Sequence, residues 1–245
     1  PQGDYMKAGD RVAVSWLHPA ETITPHFVAS LDRVRRTSHR VVDAGGLPAG
    51  ANITSARNRQ VQWFLDETRA EWLWIVDSDM AFDGDTLERL CESADDRRCQ
   101  IVGGLCFALL TDLKTGLEYP APTMFLLSDT PGELLRCWDW PASLCEVDAT
   151  GAACLLVHRS VCEQMRDAHP GPWSWFREQI VDGRPMSEDI TFCLRARSLG
   201  YSVWVDTRVE IDHMKLLPVN AGMYRAWRAG PGFAATVGDT IEVSA

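Results

Sequence analysis

The chain has 245 residues, of which 46 % are hydrophobic and 24 % charged, and its formal net charge is −10. The length suits one large α/β domain or two small ones, with the composition of an ordinary globular protein. That balance argues against a broad grip on DNA or RNA, which needs clustered Lys and Arg to displace counterions, and leaves open only a local basic groove. The longest apolar runs, such as residues 101–110, are about half of the roughly 20 residues that a membrane helix needs, so no span is expected.

The predicted elements alternate through the first half. Residues 11–17 form a short apolar strand. Residues 22–36 follow with helical spacing, placing Phe27, Leu31 and Val34 on one face behind a Thr22 or Thr24 cap and Pro25. The Arg33, Arg35, Arg36, His39 and Arg40 run on this helix and its exit reads as a solvated face. Residues 39–42 read as a second strand, and residues 43–51, with three glycines and a proline, as a loop. A helix starts at Thr54 or Ser55. Residues 71–76 are apolar enough for a central parallel strand, residues 83–94 are helical, and residues 100–102 form a fourth strand. This alternation predicts a mostly parallel sheet with helices on both sides.

After Gly104 the pattern changes. Residues 107–122 read as loop-rich, and 124–127, 134–138 and 144–147 as short strands joined by Pro and Gly turns, a small mixed or antiparallel portion. A strand at 152–157 leads into a helix at 160–168, then a Pro/Trp-rich loop at 170–176. A helix at 188–199 stops at Gly200, a suitable C-cap, and strands at 202–205 and 208–211 close the pattern. One domain over residues 1–213 is the simplest account. It divides into a first half at about 11–104 and a second at about 105–213, with 214–245 as a tail that could be a lid or packing arm.

Eight cysteines, Cys91, Cys99, Cys106, Cys137, Cys145, Cys154, Cys162 and Cys193, include no C-x-x-C pair. Their scatter fits neither a zinc site nor a disulfide framework, and several lie in apolar runs as small buried hydrophobes. That usage points to the reducing cytoplasm. No signal peptide is visible, and the start at Pro1 reads as trimmed, which leaves a targeting segment ahead of it open.

Chemistry concentrates in three places. Asp77-Ser78-Asp79 ends the apolar strand Trp72-Leu73-Trp74-Ile75-Val76, at the edge where open α/β sheets bind ligands. Alternate side chains of an extended chain face the same way, so both carboxylates can meet one hard cation, Mn²⁺ or Mg²⁺, whose other positions phosphate can fill. The bland alternative is a polar strand end. His213, after the last strand, can serve as a third ligand, better for Mn²⁺ than for Mg²⁺; alone it would read as an ordinary surface or core histidine. Glu188 and Asp189 open a helix behind Ser187, where carboxylates are favoured by the helix dipole in any case. There one of them can also remove a proton from an acceptor hydroxyl.

The order of these pieces resembles the GT-A fold glycosyltransferases, especially the family-two-like enzymes. It runs from D-S-D after an apolar strand, through S-E-D-I-T-F-C-L-R-A-R-S-L-G-Y, to a strand and His213. Ser55-Ala56-Arg57-Asn58-Arg59 leading into W-L-W-I-V-D-S-D-M looks like a subgroup found in bacteriophages and bacteria. The resemblance covers residues 11 to 213, and implies a nucleotide-binding half at about 11–104 and an acceptor half at about 105–213, with Met214, Lys215 and Arg225 of the tail available for phosphate. It implies a metal-dependent transfer of one sugar from a nucleoside diphosphate sugar, most simply a UDP-sugar, to an acceptor hydroxyl. On it, Asp79 is the direct metal ligand, Asp77 and Ser78 sit near the ribose or sugar, and His213 is the late metal-binding histidine. Asp189 is the base of an inverting reaction, with Glu188 beside it. Ser15 and His18 at the end of the first strand, Asp43 after the second, and Arg57 and Asn58 face the nucleotide. Gly151 matches a small-residue turn near the sugar and acceptor, though an ordinary tight turn explains it equally. Trp173 and Trp175 are candidates for stacking on an acceptor, against the alternative of core anchors.

The D-D-G-S stretch of many family-two enzymes is absent, and Asp43-Ala44-Gly45-Gly46 stands there instead. The Q-x-x-R-W motif of processive synthases is also missing. The acceptor ranks as protein first, such as a phage structural protein, then a surface glycan or modified DNA. Oligomeric state is not encoded in any recognisable pattern. Two other classes compete: a nucleotidyltransferase, which would show a Gly-rich phosphate loop where Ser15-Trp16-Leu17-His18-Pro19 stands, and a non-catalytic nucleotide-sugar-binding module.

Overall fold

The computed structural model describes residues 10–19, 23–114, 116, 118–130, 132–215 and 225. In chain order the first elements are β1 (Val12–His18), α1 (Pro25–Thr37), β2 (Val41–Pro48), α2 (Ile53–Glu67), β3 (Trp72–Val76), β4 (Met80–Ala81), α3 (Thr86–Ser93) and β5 (Ile101–Leu105). Small strands follow: β6 (Phe107–Thr111), β7 (Glu118–Pro122), β8 (Met124–Leu127), β9 (Leu134–Arg136), β10 (Leu144–Val147) and β11 (Ala149–Thr150). The chain continues with β12 (Cys154–His158), α4 (Arg159–Ala168), β13 (Gln179–Val181), β14 (Arg184–Met186), α5 (Glu188–Ser198), β15 (Val203–Glu210) and β16 (Asp212–His213). Residues Pro1–Met214 form one unit and Lys215–Ala245 a second. The lid or packing-arm expectation for 214–245 lies outside the described residues except at Met214, Lys215 and Arg225.

Seven strands make the main sheet in the order β10-β15-β5-β12-β3-β1-β2. Strands β2, β1, β3, β5 and β15 run the same way, while β12 and β10 run against them. This is the mixed α/β, mostly parallel GT-A-like architecture. Strand β3 explains why the sheet sits centrally: every residue in it is buried, and its side chains alternate between two cores. Leu73 and Ile75 join Val61, Phe64, Met165 and Phe192 of α2, α4 and α5. Trp72, Trp74 and Val76 join Phe27, Leu31, Leu87 and Leu90 of α1 and α3. A period of two in the strand therefore feeds one helical layer on each face.

Helix starts follow their caps. Thr24 accepts from the Phe27 amide at 3.3 Å, and Asn52 from the Ser55 amide at 2.8 Å, so α2 begins before the expected Thr54 or Ser55. The last turn of α2 has no basic residue of its own. Arg159 supplies the missing donors, reaching the carbonyls of Phe64, Leu65, Thr68 and Ala70 at 2.8–3.2 Å while its guanidinium lies 4.2 Å over the Phe64 ring. The basic run is a solvated and bracing face: Arg33 donates to the Phe82 carbonyl, Arg36 pairs with Asp32, and Arg40 with Glu88.

Three sequence expectations change, and one hairpin stands where the sequence reading places no element. Residues 43–48 are strand, not loop, because β2 pairs with β1 as far as His18 and Pro48. The glycines are there for packing, since a Cβ at Gly45 would lie 3.0 Å from the Trp63 ring and one at Gly46 only 2.6 Å from Trp16 Nε1. Residues 107–122 contain the hairpin β6–β7, paired from Phe107–Pro122 to Thr111–Glu118. The two expected closing strands are one strand, β15, with its register to β5 shifted between Asp206 and Glu210. Finally, β13 and β14 form a hairpin turning at Asp182 (φ 50°) and Gly183 (φ 78°), the paired left-handed conformation that Asp-Gly favours. Among the described residues no helix is long and apolar enough to cross a membrane.

Candidate active site

The chain leaves β3 at Val76, at the carboxyl edge of the parallel strands, and turns at once. The Asp77 amide donates to the Ala153 carbonyl at 3.0 Å, and the Met80 amide to the Asp77 carbonyl at 3.1 Å. Thr24 fixes the middle of the turn, its amide and hydroxyl both donating to the Ser78 carbonyl at 3.4 and 2.9 Å. Strand β16 then pairs with β4, setting His213 opposite Met80, and the Met214 amide donates to the Asp79 carbonyl. Residues 134 apart in sequence are thereby brought face to face.

His213 Nε2 lies 2.9 Å from Asp79 Oδ2, and Nδ1 lies 2.7 Å from the Phe107 carbonyl. A carbonyl only accepts, so Nδ1 carries the proton; Nε2 donates to the carboxylate when it too is protonated, and when it is not, its lone pair and the carboxylate are two ligands facing one cation position. An imidazole anchored through one nitrogen to a backbone carbonyl is the usual support for a metal-binding histidine. Two ligands at right angles on bonds of about 2.1 Å stand about 3 Å apart, close to the Asp79–His213 separation. The pair fits an octahedral Mn²⁺ or Mg²⁺ that completes its shell with phosphate and water. Asp77 does not complete a three-residue set; among the described residues no group of three or more His, Cys, Asp or Glu side chains is placed to hold a metal ion.

Asp77 is instead gripped from below. Arg57 Nη2 of α2 donates to Asp77 Oδ1 at 2.6 Å, and Nη1 reaches Gln60 at 3.3 Å. The Arg57 side chain is 4 % exposed and that of Asp77 26 %. Burial pushes the Asp77 carboxyl above its usual range, the charge and hydrogen bond of Arg57 oppose that, and the Asp79 carboxylate adds to it.

The other wall is the start of α5. Asp189 Oδ1 accepts from the Ser187 hydroxyl and from the Ile190 amide at 2.8 Å. Its Oδ2 lies 3.5 Å from where a Cβ on Gly151 would stand. Burial, and next the Asp189 carboxylate, raise the Glu188 carboxyl above its ordinary value, while the Arg57 charge lowers it. Residues 151–153 tie the two walls together. Gly151 borders Asp189, and two residues on Ala153 accepts from the Asp77 amide. The Gly151 amide also donates to the Thr123 carbonyl, and Thr123 donates to Cys106, whose neighbour Phe107 holds His213. Thr24, Phe107 and Thr123 act here through backbone groups or short side chains, which left no recognisable pattern in the sequence.

The remaining expected residues fall elsewhere. Ser15 is fully buried, donating to the Gly45 carbonyl and accepting from Gln60. His18 sits at the end of β1 with Nδ1 2.8 Å from the Pro19 carbonyl. Asp43 lies opposite Ala13 and so level with Leu73, four residues short of Asp77; at about 3.3 Å per residue that is about 13 Å below the crevice edge. Asn58 is buried, its amide donating to the carbonyls of Thr54 and Phe176 and accepting from the amides of Trp175 and Phe176. Trp175 is a core residue at 4 % exposure whose indole donates to the Cys162 carbonyl, while Trp173 is exposed.

No protein-family model matches the chain, and neither does any curated protein. Solved structures do match its fold. A197 from STIV superposes with a TM-score of 0.52 at 13 % identity, over 84 % of this chain and 86 % of that one. GalNAc-T7, solved with UDP, GalNAc and Mn²⁺, superposes with a TM-score of 0.54 at 9 % identity, over 84 % of this chain and 43 % of that one. At these identities the likeness is one of fold.

Proposed function

We propose that this chain is a metal-assisted glycosyltransferase that moves one sugar from a nucleoside diphosphate sugar to an acceptor hydroxyl. The observation that carries the reading is the Asp79–His213 pair, 2.9 Å apart at the end of β3 and joined through residues 151–153 to Asp189. Asp79 and His213 would hold Mn²⁺ or Mg²⁺, whose charge offsets that developing on the leaving diphosphate. Arg57 opposes the burial that raises the Asp77 carboxyl and holds the side chain at the crevice, where it would accept from a ribose or sugar hydroxyl. Asp189, held through Oδ1, presents Oδ2 beside Gly151 to take the acceptor proton, and inversion at the anomeric carbon follows. UDP is the proposed nucleotide, in keeping with the fold neighbour that carries UDP and Mn²⁺. The motif order supports a family-two-like enzyme of the bacteriophage and bacterial kind.

Replacing Asp189 with Asn distinguishes a transferase from a binding module on the same fold. UDP-sugar turnover, read as UDP release, should fall by about 10²–10⁴-fold, while UDP still raises the melting temperature as in the parent. A parent chain that binds UDP but releases none from any UDP-sugar would reject catalysis.

A further inference from the structure

Tyr119 of the hairpin β6–β7 and Trp138 just beyond β9 form an aromatic surface that the proposed transfer site does not use. Tyr119 and Trp138 are 37 % and 56 % exposed, with ring centroids 6.4 Å apart and planes 33° apart, a shallow V open to solvent. Large exposed aromatics grouped in this way mark contact surfaces rather than leftovers of the core. Arg136 braces the group. Its guanidinium lies 6.0 Å from the Trp138 ring and 4.6 Å from Phe125, and Nη1 donates to the Pro122 carbonyl.

The position of the V gives it meaning. Pro122 pairs with Phe107, whose carbonyl holds His213, and Tyr119 stands three residues up the same strand. At about 3.3 Å per residue Tyr119 is about 10 Å along the hairpin from the level of Phe107, the residue that holds His213. A group bound there is within reach of the crevice without entering it.

We infer that Tyr119 and Trp138, braced by Arg136, form a stacking subsite for a pyranose ring of an oligosaccharide acceptor whose reacting hydroxyl lies at Asp189. This rests on the proposed transferase reading and names its acceptor class. A pyranose has a flat C–H face that packs on an aromatic ring and a rim of hydroxyls that meets polar edges, and Tyr, Trp and Arg offer both. A nucleic acid would also stack, but would bring its phosphates to a chain of net charge −10.

Ligand-observed NMR on the full chain tests this, with maltotriose, cellotriose, lactose and N,N′-diacetylchitobiose as probes and a Ser/Thr peptide and an oligothymidylate for comparison. At least one saccharide should bind. Trp138→Ala or Tyr119→Ala should weaken it about tenfold, the scale of losing one interface anchor, and Trp138→Phe should retain it. Two alanine variants keep the test decisive if one fails to fold. Saccharide binding indifferent to both variants, no saccharide binding, or binding of only the peptide or oligothymidylate at these residues overturns the inference. Mn²⁺-dependent UDP binding is read separately, so a donor site without a saccharide site sinks this inference alone.

Discussion

Arg57 reaches out of the core to Asp77 across 2.6 Å, and its own Nε finds no hydrogen-bond partner. A buried guanidinium with an unused N–H is costly, so the ion pair is held by what surrounds it rather than by its own stability. The consequence is a D-S-D turn whose first carboxylate is engaged from the protein side and whose second is left to His213.

Arg57→Ala should therefore do two things. It strands a partly buried carboxylate, and urea unfolding should show a loss of about 3 kcal/mol, the low end for a broken buried pair because Asp77 keeps some water contact. In whatever stays folded, UDP-sugar turnover should fall, and Arg57→Lys, which cannot reproduce the planar fork, should restore stability better than turnover.

Asn58 makes the opposite prediction. It holds the 175–176 backbone and not the crevice, so Asn58→Ala leaves two buried amides unpaired at about 1–3 kcal/mol each. Denaturant midpoints should drop sharply, while the KM for donor, measured on folded protein, stays within about twofold.

Acid stability should trace to Asp206. Burial pushes its carboxyl up, but hydrogen bonds from Arg208 and Ser93 outweigh this and hold it below the ordinary value. A carboxylate with a depressed folded pKa stabilises above its unfolded pKa of about 3.9 and loses that contribution as pH falls through the folded one. The stability gap between the parent and Asp206→Asn should be full at pH 6 and close progressively below about pH 4. Urea midpoints across that range check it; a gap that widens in acid would reverse the assignment.

What could be read in the sequence was whatever a periodic apolar pattern encodes. Trp72–Val76 announced a central strand because every position is apolar, and the helix beginning at Glu188 ended at Gly200 (φ 92°). The continuation of β2 past Val42 is hidden because Gly45 and Gly46 imitate a loop, while their real partners, Trp63 and Trp16, are distant in sequence. The hairpin β6–β7 was obscured by Pro120 and Pro122, tolerated because β7 pairs on one side only. Asp182-Gly183 is a hairpin signal with a local trace, since Asp-Gly favours the paired left-handed turn found there. In the site, residue types at strand ends and helix starts pointed to Asp77, Asp79, Asp189 and His213. Which carboxylate faces Arg57 and which faces His213 is decided by β16 pairing with β4 and by α2 lying under the turn. Neither relation has a local trace.

The most direct test of the central claim is calorimetric titration of UDP into the full chain with Mn²⁺ or with EDTA, repeated on Asp79→Ala and His213→Ala. The account predicts binding at least about tenfold tighter with Mn²⁺, and loss of that difference in both variants with their folds intact. Equal affinity in Mn²⁺ and EDTA, or a Mn²⁺ effect that survives both substitutions, would contradict it.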